Sequence, residues 1–112
     1  TTTGASFVSE AKNGAVRSFA VTPEEAGLAR AAPGALTGGD PAENAAALRR
    51  LLDGEQGPYR DIALLNAAAA LIVAGKATTL RDGAARAGRS IEEGRAREAL
   101  ARLIAISNER AP

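Results

Sequence analysis

Pro58-Tyr-Arg-Asp-Ile-Ala-Leu-Leu-Asn-Ala-Ala-Ala-Ala-Leu-Ile-Val-Ala-Gly75 is the stretch that decides the fold. From position 62 to position 74 every residue except Asn66 is apolar, and a helix that is apolar all round must be covered on every side. The pattern predicts a central, buried helix. At ~1.5 Å rise per residue those positions reach about 20 Å, short of a hydrocarbon core roughly 30 Å thick, so no membrane span is expected. Gly75 and Lys76 supply the C′ glycine and the cation that helix ends favour. The four alanines at 67–70 let neighbouring elements come unusually close. Asn66 inside such a helix needs partners, because an unmet buried amide costs on the order of 1 to 3 kcal/mol. It is expected to bond a neighbouring loop or helix end, the alternative being an amide that touches substrate.

Working outward toward the N-terminus, Phe7-Val8 and then Val16, Phe19 and Val21 flank Lys12-Asn13-Gly14. Asn-Gly between two apolar runs is the strongest short hairpin signal, since both residues tolerate the positive φ of a type I′ turn. Two antiparallel strands are expected over residues 1–22. A hairpin alone is marginal in water, so it must join a larger sheet or lie on the helices. Thr22-Pro23-Glu24-Glu25 starts a short helix with Thr as N-cap, Pro at N1 and Glu at N3. Gly27 stops it, and the Gly, Pro and Ala of residues 28–39 carry no period, which reads as an ordered connecting loop.

Residues 40–108 are expected to be helical. Asp40-Pro41-Ala42-Glu43 repeats the start signal, Ala45, Leu48 and Leu52 mark an apolar face, and Gly54 ends that helix. Beyond the central helix, Thr79 opens another with Asp82 at N3 and a stripe of Leu80, Ala84, Ala87 and Ile91. Gly83 and Gly88 lie inside it; each costs roughly 1 kcal/mol relative to Ala, which suggests close backbone approach against the small central helix. After Gly94, Ala96, Leu100, Leu103 and Ile104 face the core from a last helix that frays by Asn108. The expected order is a two-strand element followed by four helices.

Composition closes off whole classes of chemistry. The 112 residues suit one domain or a piece of one. Fourteen basic and thirteen acidic residues give a net charge of +1, too weak a field for nucleic acid or an anionic membrane. Phe7, Phe19 and Tyr59 are too far apart to stack successive bases. Without Cys or His there is no thiol catalysis, imidazole base or common zinc site, and metal can bind only through oxygen. No signal peptide or long apolar run is visible, and the absence of Cys fits a cytoplasmic protein. The chain opens Thr-Thr-Thr-Gly and contains no Met, so it is expected to be a processed or truncated piece.

Thr37-Gly38-Gly39-Asp40 before a helix is the one phosphate-like signal. Asp40, as N-cap, places a negative charge where phosphate should sit, which favours a cap loop. Glu24-Glu25 and Glu92-Glu93 are adjacent acids that do not converge, and the Arg residues at 81, 86, 89, 95, 97 and 102 read as salt-bridged surface. Ser90 and Ser107 have no base to activate them.

At Gly38-Gly39-Asp40-Pro41-Ala42-Glu43-Asn44-Ala45 and at Leu64-Leu65-Asn66-Ala67-Ala68-Ala69-Ala70-Leu71-Ile72-Val73-Ala74-Gly75 the chain resembles the C-terminal part of the anthranilate phosphoribosyltransferases. The likeness extends over the hairpin, Thr22-Pro23-Glu24-Glu25-Ala26-Gly27-Leu28, Arg81-Asp82-Gly83 and Ile91-Glu92-Glu93-Gly94-Arg95-Ala96, in order. The resemblance implies an α/β fold, with this chain as the C-terminal portion of a nucleoside-phosphorylase-like catalytic domain whose enzyme also has a small helical domain. It implies transfer of the phosphoribosyl group of phosphoribosyl pyrophosphate to anthranilate in tryptophan biosynthesis, with Mg²⁺ and no covalent enzyme intermediate. It also implies a homodimer paired through the helical domain. The family's phosphate loop, its acidic Mg²⁺ ligands and its anthranilate-contacting segments have no counterpart here and are expected upstream of Thr1. No catalytic, substrate-binding or metal-ligating residue is assigned within these positions. The remainder of the same enzyme is the expected partner. Two rivals are a non-catalytic helical interaction module and a related phosphoribosyltransferase-like protein with another acceptor.

Overall fold

The computed structural model describes residues 1–109. Two strands, β1 (Ser6–Lys12) and β2 (Ala15–Val21), precede a 3-10 turn (Pro23–Ala26) and four helices: α1 (Pro41–Leu52), α2 (Pro58–Val73), α3 (Leu80–Glu92) and α4 (Arg95–Asn108). The strands pair antiparallel, with Ser6 opposite Val21, Val8 opposite Phe19 and Lys12 opposite Ala15. Only Asn13 and Gly14 are left to turn the chain, at φ of 52° and 76°. Both left-handed values match the right-handed twist of the flanking strands. No third strand joins this sheet among the described residues.

Two of the long helices, α1 and α3, begin where a polar flank predicts. Asp40 accepts from the Glu43 amide at 2.8 Å, and the Glu43 carboxylate accepts from the Asp40 amide at 3.0 Å, a complete capping box. The Thr79 hydroxyl accepts from the Asp82 amide at 3.1 Å. At the end of α2, Lys76 N–H reaches the Leu71 carbonyl at 2.8 Å and Gly75 N–H the Ile72 carbonyl at 3.0 Å, with Gly75 left-handed at φ 67°. That pair of bonds is a Schellman turn. It reverses the chain so that α3 returns along α2.

The core lies between α2 and α3. Leu64, Leu65 and Ala68 meet Ala84, Ala87 and Ile91, with Leu51 and Leu52 closing one side and Ala26 the other. Gly83 rests on Ala68: a Cβ there would lie 2.7 Å from the Ala68 Cα, so only a hydrogen fits. Gly88 is different, since a Cβ there would meet only the Arg60 Nη2 at 3.6 Å, an ordinary contact. The close approach expected at both glycines therefore holds at Gly83 alone.

Three burial expectations are corrected. The central helix is covered on one side only: Leu64, Leu65 and Ala68 are buried, whereas Asn66, Ala69, Ala70 and Val73 are exposed. Its uniform apolar composition records surface that other elements must cover, and among the described residues α3 is its main neighbour, with lesser contact from α1 and the turn at 23–26. In α1 the buried residues are Leu51 and Leu52, while Leu48 is exposed, because the recorded packing of α1 on the core runs through its last turn. In α4, Ala96 and Leu100 pack on the core but Leu103 and Ile104 face outward. Among the described residues nothing packs over this part of α4.

Candidate functional site

The 37–40 segment, the one place where the sequence suggests an anion, is a cap loop. Asp40 and Glu43 satisfy each other, and Asn44 closes the segment by accepting from the Gly39 amide at 2.9 Å and donating to the Gly39 carbonyl at 2.9 Å. The Gly39, Asp40 and Glu43 amides, which an anion here would need, are thus already used.

Asn66 is exposed, and its Nδ2 donates to the Ile62 carbonyl one turn back at 2.9 Å. The expected bond to a neighbouring loop or helix end is not made. An amide on an open helix face can satisfy itself against its own backbone, so the desolvation that would have demanded a distant partner never arises here.

The adjacent acids diverge, as expected, but they are not idle. Glu24 grips the Arg30 guanidinium through both oxygens, at 2.9 and 3.2 Å. That hydrogen-bonded cation is the main cause holding the Glu24 carboxyl down at about 2. Glu25 accepts from the Thr22 amide at 2.7 Å. Glu93 pairs with Arg95 at 2.5 Å and Arg97 with Asp53 at 2.6 Å. Arg97 also donates to the Leu52 carbonyl at 3.2 Å, and Arg86 donates to the Lys76 carbonyl, so these arginines tie helix ends together.

Arg60 is the polar residue that the sequence reading passed over. It is 9% exposed, and it donates to Gln56 Oε1 at 2.8 Å and to Glu92 Oε1 at 3.0 Å, linking the start of α2 to the end of α3. Its Nε is buried without a partner among the described residues. The signal was available in the helix phase: Arg60, Leu64 and Ala68 are spaced by four and all three are buried. Its two terminal nitrogens are engaged by Gln56 and Glu92, which ties the start of α2 to the end of α3.

Among the described residues no group of three Asp or Glu side chains converges to hold a metal ion. The carboxylates are instead distributed among caps and single ion pairs, so the residues present do not form a Mg²⁺ site. Also among the described residues, no helix is long and apolar enough to cross a membrane.

An apolar concavity lies between the hairpin and the open side of α2. It has a volume of about 510 Å³; Val8, Phe19 and Val21 form one wall and Asn66, Ala69 and Val73 the other. Glu10 and Arg17 sit at its edge, paired at 2.7 Å, with the guanidinium stacked 4.6 Å over Phe19. No nucleophile with a base, convergent acid pair or anion cradle lines it. The arrangement can bury apolar surface.

Residues 1–97 match the family described as glycosyl transferase family, a/b domain. An anthranilate phosphoribosyltransferase of Parvibaculum lavamentivorans is 61% identical over 108 residues, which are 96% of this chain and 32% of that protein. An anthranilate phosphoribosyltransferase of Caulobacter vibrioides is 60% identical over 112 residues, 100% of this chain and 33% of that protein. The crystal structure of anthranilate phosphoribosyltransferase (TrpD) from Thermus thermophilus superposes with a TM-score of 0.73 at 47% identity, covering 79% of this chain and 27% of that one. The chain thus spans about a third of the length of the curated relatives it matches.

Proposed function

Because the chain belongs to the glycosyl transferase family, a/b domain, we propose that it serves as the C-terminal part of the α/β domain of an anthranilate phosphoribosyltransferase. In this reading the whole enzyme transfers the phosphoribosyl group of phosphoribosyl pyrophosphate to anthranilate, for tryptophan biosynthesis in the cytoplasm, and works as a homodimer. Identity of 61% across nearly the whole chain to a relative of that name is the observation that carries it.

The proposed role of these residues is structural. Several of their charged side chains are engaged in caps and ion pairs, as befits a supporting element. The Mg²⁺ that the family implies would neutralise the departing pyrophosphate; residues outside this chain would hold it, since no carboxylate cluster here can.

The test is reconstitution. The chain is co-expressed with the two thirds of the Parvibaculum relative that it does not span, and formation of phosphoribosyl anthranilate is assayed. Activity that requires both pieces is the expected outcome. The same activity from the larger piece alone would refute the supporting role.

A further inference from the structure

We propose that the groove between α2 and α3, on the side that carries Arg86 and Arg89, is a binding site for a small multivalent oxyanion, a polyphosphate or a polycarboxylate. This inference stands apart from the proposed function, because it rests on side chains of this chain alone.

The groove has a volume of about 850 Å³, and alanines of both helices, Ala70 and Ala87 among them, form its apolar lining. Lys76, Arg86, Arg89 and Arg95 line it too, against a single carboxylate, Glu93. In a chain whose net charge is only +1, positive charge is therefore gathered at this one place.

The sequence pattern reads these arginines as salt-bridged surface, and the fold makes such a pair only at Arg95, which meets Glu93 at 2.5 Å. Arg86 donates to the Lys76 carbonyl, which steadies its guanidinium without cancelling its charge. Lys76 and Arg89 make no ion pair among the described residues. Two other concavities differ in this respect. Beside the start of α2, Arg50 pairs with Glu55 at 3.1 Å and Arg60 with Glu92 at 3.0 Å; beside the hairpin, Arg17 pairs with Glu10 at 2.7 Å.

Helix phase explains the gathering. Arg86 and Arg89 are three residues apart on α3 and so share an edge of it, while Lys76 precedes that helix and Arg95 follows it. Lysine and arginine side chains only donate hydrogen bonds, so their complement is a ligand made of acceptors. Guanidinium forks hold phosphate or carboxylate oxygens through paired bonds. The volume falls within the range of about 300 to 1,000 Å³ typical of small-molecule sites. Because the cations are exposed, salt screens them, and binding weakens as ionic strength rises.

Phenylglyoxal modification of arginine tests the site. The chain is treated at low salt with and without inorganic tripolyphosphate or citrate, and the rate at each arginine is read by peptide mass spectrometry. Modification of Arg86 and Arg89 is expected to slow about threefold or more, with Arg49, on the exposed face of α1, unchanged. High salt should abolish the protection, and so should Lys76→Gln combined with Arg89→Gln, read at Arg86. Protection by tripolyphosphate alone identifies a phosphate ligand, by citrate alone a carboxylate one, and by both a site that reads charge. Unchanged rates with either anion overturn the inference. Equal slowing at Arg49, or protection of Arg86 that survives in the double variant, overturns it as well. The same treatment is applied to the chain co-expressed with the other two thirds of the Parvibaculum relative. Groove arginines that resist the reagent there before any anion is added would make the groove a protein contact, and the inference falls. Whether that complex forms phosphoribosyl anthranilate bears on the proposed function alone, and if no complex assembles the result on the chain decides.

Discussion

At the scale of single residues, two glycines in one helix have opposite consequences. Gly83 faces the Ala68 backbone, and an added methyl would lie 2.7 Å from its Cα, too close to be absorbed without moving α3. Gly83→Ala is expected to destabilise the chain by about 1 to 3 kcal/mol, measured by urea denaturation. Gly88→Ala places its methyl at ordinary contact distance from the Arg60 guanidinium and removes a helix-interior glycine. It is expected to stabilise by roughly 0.5 to 1 kcal/mol in the same assay. Sequence spacing put both glycines on the α2-facing side, yet could not say which one lies over backbone, because that depends on the crossing point of two helices. Arg60 was legible from its phase with Leu64 and Ala68, whereas Asn66 misled because its burial was inferred from apolar neighbours along the chain. Glu24 gives a pH signature. Its ionisation is lowered from 4.5 to about 2, first by its hydrogen bond to Arg30, so the favourable pairing is fully present above 4.5 and is lost as pH falls toward about 2. Carboxyl titration by NMR should place Glu24 near 2 in the native chain, with Arg30→Gln returning it toward the ordinary carboxylate range.

At the scale of elements, local rules were readable and neighbours were not. Asn13-Gly14 set the hairpin register, and Asp40, Thr79 and Gly75 set helix ends, because each works through bonds to residues within a few positions. The α1 start makes this testable. Asp40→Ala removes the acceptor for the Glu43 amide, and a loss of about 1 kcal/mol in thermal unfolding is expected. Retained stability would mean that packing of Leu51 and Leu52 alone holds the helix. The faces of α1 and α4 were legible only where they touch α2 or α3. Leu48, Leu103 and Ile104 fit the helical period as well as their buried neighbours do, but no surface among the described residues reaches them. Several side chains that look chemical in the sequence, Asp40, Glu92 and Arg97 among them, make cap and ion-pair contacts in the fold.

For the molecule as a whole, the family likeness was legible because several separated motifs fall in order, and such order survives where individual burial guesses fail. The structure has a consequence for the chain in isolation. Phe7, Val16, Val73, Leu103 and Ile106 are each more than 60% exposed, and apolar side chains left in water favour association. Alone, the chain is expected to bind a hydrophobic dye and to increase in mean mass with concentration in light scattering. Addition of the complementary portion of the enzyme should suppress both, and a dye-silent monomer at high concentration would contradict the uncovered face. The Schellman turn at Gly75 has a kinetic corollary. Only residues 74–79 separate α2 from α3, so the best-packed pair in the chain closes at little loop entropy and can nucleate while distant segments are still coil. On refolding by dilution, helical circular dichroism should return before amide protection in the hairpin, and simultaneous recovery would deny the helical pair its head start.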